Sequence, residues 1–147
     1  MEISLSKGNE QDLVAVIALV KELAKFENAG DEVEIGLEDY ITGFRNGDFE
    51  TILATFNKEI VGMALYYLTW STWRGRMLYL EDLVVKEDYR RKGIGGRLLE
   101  AFIDQAHKLE CNMVKWQVLD WNNQAIEMYE KFGGTIERDW WNVKIIF

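Results

Sequence analysis

The stretch Leu78-Tyr-Leu-Glu-Asp-Leu-Val-Val85, continuing as Lys86-Glu-Asp-Tyr-Arg-Arg-Lys-Gly-Ile-Gly-Gly96 and Arg97-Leu-Leu-Glu-Ala-Phe102, decides how this chain is read. It reads as a buried strand, a basic turn bearing glycines, and the first turns of an amphipathic helix. The first amides of a helix have no partner within it and carry a partial positive charge, so this junction suits an anion. Gly93, Gly95 and Gly96 have no Cβ to hold a ligand off the backbone. Arg90, Arg91, Lys92 and Arg97 gather positive charge around the same point, in a chain whose formal net charge is -8. Two phosphate loops are excluded. A Walker A loop needs Lys and Ser or Thr after its glycines, whereas Gly96 is followed by Arg97; the dinucleotide fingerprint needs a third glycine where Leu98 stands. What matches is Arg90-Arg-Lys-Gly93-Ile-Gly95, an Arg-x-x-Gly-x-Gly pattern directly after an apolar strand.

Composition narrows the class. A chain of 147 residues is expected to form one domain, large enough for a real core. With 48% hydrophobic and 29% charged residues, it has the balance of a soluble globular protein. No apolar run approaches the ~18 residues of a membrane span, so no membrane partner is expected. The N-terminus lacks a basic-then-apolar signal pattern, and a cytoplasmic location is the expectation. A single cysteine, Cys111, excludes an internal disulfide, and with a single histidine, His107, no zinc constellation or other metal is expected. Cys111 reads as packing and His107 as helix surface. A pI near 4.7 argues against nucleic acid as a partner.

Residues 2–6 alternate like a short strand. Asn9 or Asp12 can cap a helix in which Leu13, Val16, Ile17, Val20, Leu23 and Ala24 recur at helical spacing up to Phe26. A polar loop follows, then a helix from Leu37 to Asn46. Thr51 to Phe56 and Ile60 to Leu68 form a hairpin about a turn at 57–59. Thr69 to Gly75 reads as a loop, Met77 to Val85 as a long strand, Gly95 to Leu109 as a helix, and Met113 to Leu119 as a strand. Asn122 to Phe132 reads as a helix stopped by Gly133 and Gly134, and Thr135 to Phe147 as two further strands. The order β-α-α-β-β-β-α-β-α-β-β indicates a mixed α/β layer with helices on both faces.

The Arg-x-x-Gly-x-Gly turn resembles the coenzyme A pyrophosphate loop of the GCN5-related N-acetyltransferase (GNAT) superfamily, and the element order is that superfamily's order. A second stretch extends the resemblance: Asp120-Trp-Asn-Asn-Gln-Ala125-Ile-Glu-Met-Tyr129-Glu-Lys-Phe-Gly133. In the superfamily, Asn-x-x-Ala-x-x-x-Tyr before a glycine marks the helix beside the pantetheine arm. The spacing places Asn122 at the cap and puts Ala125 and Tyr129 on the same face. For an isolated helix, Tyr129 would read as a core aromatic and Asn122 as an N-cap only. More narrowly, Lys21-Glu-Leu-Ala-Lys-Phe-Glu27, Ala64-Leu-Tyr-Tyr-Leu-Thr69, Leu78-Tyr-Leu-Glu-Asp82 and Asp88-Tyr-Arg90 resemble the diamine (spermidine/spermine) acetyltransferases. Ser71-Thr-Trp73-Arg-Gly75 and Val118-Leu-Asp-Trp-Asn122 are more similar to the branch that acetylates thialysine. The polyamine branch carries an acidic residue and proline before the tryptophan; here Ser71 and Thr72 stand instead.

The resemblance implies a mixed, mostly antiparallel sheet with helices on both faces, a single N-acetyltransferase domain over 1–147, acetyl-coenzyme A as cosubstrate, and a homodimer. It implies acetyl transfer to a primary amine of a small molecule, thialysine-like or a diamine or polyamine. Alternatives are a protein or peptide N-acetyltransferase of the same superfamily, and a catalytically silent acyl-coenzyme A-binding module. By resemblance, Tyr129 is the general acid and Glu81 the base, acting through water. The cofactor residues implied are Leu83, Val84 and Val85 by their backbone amides, the turn Arg90, Arg91, Lys92, Gly93, Ile94, Gly95 and Gly96, and Asn122 with Tyr129. The substrate residues are Glu27, Trp73, Glu81 and Asp82. Simple strand alternation puts Tyr79, Glu81 and Leu83 on one face and Leu80, Asp82 and Val84 on the other, so Glu81 and Asp82 are not expected to meet the same substrate directly.

Overall fold

Near-continuous apolar runs in the central strands, covered on both faces, give a five-stranded sheet, seen in a computed structural model that describes residues 1–147. The chain divides into two compact units, Met1–Gln117 and Val118–Phe147. In the first, β1 (Ser4–Lys7), β2 (Glu50–Phe56), β3 (Glu59–Ser71), β4 (Gly75–Val85) and β5 (Met113–Trp116) lie in chain order. β1 to β4 are successively antiparallel, and β5 joins β4 in parallel. A parallel neighbour needs a crossover, and α3 (Ile94–Lys108) supplies it. α1 (Leu13–Phe26) and α2 (Leu37–Arg45) come between β1 and β2.

Local chemistry sets these boundaries. The Asn9 N–H donates to the Asp12 carboxylate at 2.8 Å and opens the turn that leads into α1. Asn57 and Lys58 both hold positive φ, 47° and 65°, the backbone of a two-residue hairpin whose twist matches its strands. The loop expected over Thr69–Gly75 is shorter than the sequence suggested. Cross-strand pairs Thr69↔Met77 and Trp70↔Arg76 carry the ladder on to Ser71 and Gly75. The Trp73 and Arg74 N–H groups then donate to the Ser71 hydroxyl, closing the turn.

The core lies on both sides of the sheet. On one face Leu53, Met63, Leu65 and Val84 pack with Leu13, Val16 and Leu19, three positions spaced along one stripe of α1. On the other, Phe102 of α3 sits edge-on between Tyr66 at 5.7 Å and Trp116 at 6.2 Å. No helix is long and apolar enough to cross a membrane.

The second unit contains α4 (Asn123–Lys131), which ends as expected at Gly133, where φ is +86°. Two expectations fail beyond the sheet. The strand read as Met113–Leu119 ends at Trp116, and the two strands read between Thr135 and Phe147 are not formed. Trp141, Val143, Ile145 and Phe147 alternate as a strand would, but a strand exists only where a neighbour supplies N–H and C=O groups. Here no strand pairing includes them, and Trp141 and Val143 are 91% and 93% exposed.

Truncating Phe102, which is fully buried, removes the ring shared by Tyr66 and Trp116. Phe102→Ala is expected to cost about 3–5 kcal/mol in urea unfolding. A loss below about 1 kcal/mol would mean that the α3 face is not packed as described.

Candidate active site

The site is organised by an irregularity in β4. Leu65 pairs with Asp82, yet Tyr66 pairs with Leu80, so Glu81 is an extra residue with no partner opposite. Such a bulge reverses the in-out alternation beyond it. Leu78 and Leu80 are buried before the bulge; after it, Val84 joins the α1 side of the core, while Val85 and Leu98 of α3 both lie beside Gly62. The simple alternation expected from sequence is therefore overturned. Glu81 and Asp82 stand together on the α1/α2 side of the sheet.

Around them the fold assembles acidic and phenolic groups from four elements. Burial, then the charges of Glu81 and Glu27, push the Asp82 carboxyl up to about 6. Glu27, just after α1, is itself raised by burial. Tyr40 of α2 is raised by burial and by the charges of Asp82 and Glu81. Tyr67 of β3 is pushed up to about 12, first by burial and then by the charge of Glu81. Tyr79 is raised by burial and Glu81, and its ring stacks on Tyr67 with centroids 5.3 Å apart. An anionic group walled by aromatic rings attracts a compact organic cation.

Sequence reasoning selected Glu27, Glu81 and Asp82, and the structure brings these together. It missed Tyr40, Tyr67 and Tyr79, because nothing local distinguishes a site tyrosine from a core one. Trp73 is not brought to them. It lies 84% exposed in the β3–β4 turn, and five strand residues separate Gly75 from Glu81, a span of roughly 20 Å.

Beyond the bulge, β4 leads into the basic turn. β4–β5 pairing ends at Leu80↔Trp116, so β5 does not cover the β4 edge over Leu83, Val84 and Val85. In the turn, Arg91 and Gly93 adopt positive φ, 62° and 80°, and Gly93 stands at the N-cap of α3 without a side-chain cap on the helix. A Cβ at Gly93 would meet nothing within 4 Å, so open space borders the backbone there. Ile94 is buried and anchors the turn, Gly95 and Gly96 are half-buried, and Arg91 and Lys92 are exposed. Arg90 is held back against the fold: its Nε donates to the Val85 carbonyl at 2.9 Å and its guanidinium lies over the Phe26 ring. Two left-handed residues before an uncapped helix N-terminus make a concavity of amides that suits an anion.

In the second unit, the Asn122 side-chain oxygen accepts from the Ala125 N–H at 3.3 Å, as the N-cap reading expects. Asn122, Ala125 and Tyr129 are half-buried along one side of α4, whereas Asn123, Gln124 and Glu127 are exposed.

The mixed sheet, the uncapped basic turn after its bulged strand and the paired carboxylates upstream all lie within the first unit. The chain belongs to the acetyltransferase (GNAT) family, whose model matches residues 15–134. It is 33% identical over 141 residues to the thialysine N-epsilon-acetyltransferase of Bos taurus, covering 89% of this chain and 83% of that protein. To the human spermidine/spermine N(1)-acetyltransferase-like protein 1 it is 34% identical over 131 residues, covering 83% of this chain and 19% of that protein. An aminoglycoside acetyltransferase structure from an uncultured soil metagenomic sample matches with a TM-score of 0.83, at 19% identity over 99% of this chain and 96% of that one, and shows the same fold.

The position of Asp82 has a stability consequence. Its carboxyl binds a proton more tightly in the folded protein than in the unfolded chain, so its contribution to stability is complete below pH 3.8 and is lost as pH rises through about 6. Asn mimics the protonated group. Asp82→Asn is therefore expected to stabilise the protein by about 1–3 kcal/mol at pH 7 and by almost nothing near pH 3.5. Thermal unfolding at the two pH values tests this, and a destabilised variant at pH 7 would contradict it.

Proposed function

We propose that the protein moves the acetyl group of acetyl-coenzyme A to a primary amine of a small, cationic molecule of the thialysine or diamine type. The observation that carries this reading is the pairing of Glu81 and Asp82 on one face of the strand that runs into the basic turn. The similarity to a thialysine N-epsilon-acetyltransferase over most of both chains supports the substrate class. Ser71 and Thr72, in place of the polyamine branch's acidic residue and proline, support a short amine over a long polycation.

The turn fits a pyrophosphate, with a helix N-terminus that no side chain caps, open space at Gly93 and exposed cations at Arg91 and Lys92. Arg90, Ile94, Gly95 and Gly96 shape that turn. The Leu83–Val85 edge is the candidate for contact to the pantetheine arm and the thioester. Within the second unit, the family motif makes Asn122 and Tyr129 candidates for the same cosubstrate. Acetyl-coenzyme A would supply the activated acetyl group. Asp82 and Glu27 attract the ammonium. Glu81 accepts, through water, the proton that this ammonium must lose, since a lysine-like amine has a pKa of about 10.4. Tyr129 donates the proton that the departing sulfur takes up. We read the enzyme as a cytoplasmic homodimer. Support for a partner comes from the exposed apolar side chains of Trp140, Trp141, Val143, Ile145, Ile146 and Phe147.

A panel of amines incubated with acetyl-coenzyme A, followed by thiol release, is expected to give higher kcat/KM for thialysine or short diamines than for spermine. No turnover of any small amine, with a peptide amine accepted instead, would favour the protein-acetylating reading. Acetyl-coenzyme A binding without turnover of either would favour a silent module. Gly93→Val places a β-branched residue at φ +80° and fills the space beside the amides. It should cost about 1–2 kcal/mol of stability and abolish acetyl-coenzyme A binding by calorimetry. Unchanged affinity in the folded variant would remove the turn from the site. Tyr129→Phe should lower kcat and kcat/KM together by about 10²–10⁴ with cofactor affinity nearly unchanged. The loss should shrink above about pH 8.5, where a thiol ionises unaided. Full activity across that range would make Tyr129 a packing residue.

A further inference from the structure

Glu81 can act as the proposed proton acceptor only if its carboxylate stays in one place, and the positioning of that carboxylate rests on the functional reading above. The bulge that presents Glu81 also deprives it of a cross-strand partner. The residue is exposed, and no lysine or arginine ion-pairs with it. A free glutamate of this kind spreads over many rotamers, and ordering a long side chain costs up to about 2 kcal/mol.

Tyr67 is placed to prevent this. It stands directly opposite Tyr79 in the β3–β4 register, one pair before the ladder slips at Tyr66. Its ring is fixed by the stack on Tyr79, with planes 24° apart. Glu81, two residues past Tyr79 on the same face, is the diagonal cross-strand neighbour of Tyr67 and lies within reach of its hydroxyl. We infer that Tyr67 is a positioning residue for the reaction: its stacked ring and donated hydrogen bond hold the bulged Glu81 carboxylate facing the substrate ammonium. The phenol is raised to about 12, so it remains a donor across the working range and never competes for the substrate proton. Tyr40, Tyr79, Asp82 and Glu27 are the other titratable groups facing this point. Each is an acid, so none supplies a cation to hold Glu81 in its stead.

The test is a double-mutant cycle on kinetics with a short diamine, combining Tyr67→Phe with Glu81→Gln. Phenylalanine keeps the stack and removes only the donor. Tyr67→Phe should lower kcat about 10- to 100-fold, as expected for a displaced catalytic group, while KM for acetyl-coenzyme A stays within twofold. In the Glu81→Gln background the same change should cost less than twofold. Wild-type kcat in Tyr67→Phe, or losses that multiply in the double variant, would overturn the inference. If the wild-type enzyme turns over no amine, the functional reading fails, and a crystal structure of Tyr67→Phe then decides the positioning on its own. A Glu81 carboxylate displaced or split over conformers supports it; a single undisturbed conformer overturns it.

Discussion

One extra residue in β4, with nothing opposite it between Leu65 and Tyr66, governs how the rest of the structure serves the site. Before it, Leu78 and Leu80 are buried in the sheet; after it, Val84 belongs to the α1 core and Val85 to the α3 side. Without the reversal, one of two consecutive carboxylates would lie on the α3 face, where burial without a partner costs several kcal/mol. With it, both stand on the α1/α2 side, where Glu27 and the three tyrosines gather. The same strand then runs past the end of β5 and delivers the chain to the basic turn.

Two opposite electrostatic environments therefore sit at successive points of one chain segment. The carboxylate group concentrates the negative charge of a protein whose net charge is -8, and the turn with Arg91 and Lys92 interrupts it. Surfaces of opposite sign draw cations and anions to different places. Keeping Asp82 charged near neutrality works against folding, because burial and like charges favour its protonated form. The packed core on either side of the sheet offsets that cost, a division of labour common where a site needs charge that the fold would not choose.

The second unit shows a different tension. Its helix is capped by Asn122 and stopped at Gly133, and Gly134 donates back to the Tyr129 carbonyl, so α4 is locally well specified. The residues after it have the alternation of a strand and the exposure of a surface. Apolar side chains at this density are unusual on the surface of a soluble monomer and mark a region that gains from being covered.

The local elements were legible in the chain alone: the stripe of Leu13, Val16 and Leu19 makes α1, Gly93 makes the turn into α3, and Gly133 ends α4. Each depends on residues within a few positions of one another, which is why periodicity and glycine placement were enough. The family motifs likewise lie in short continuous stretches, and through them the fold class and the chemistry could be read. Everything that depends on which residues come to lie opposite each other had to wait for the folded chain. Register places the bulge at Glu81, stacks Tyr67 on Tyr79, and carries Trp73 to the far end of the hairpin. It also leaves Trp141, Val143, Ile145 and Phe147 outside the sheet, although their alternation reads as a strand. A strand's pattern is local, but its hydrogen-bonding partner is not, and no stretch of sequence names that partner.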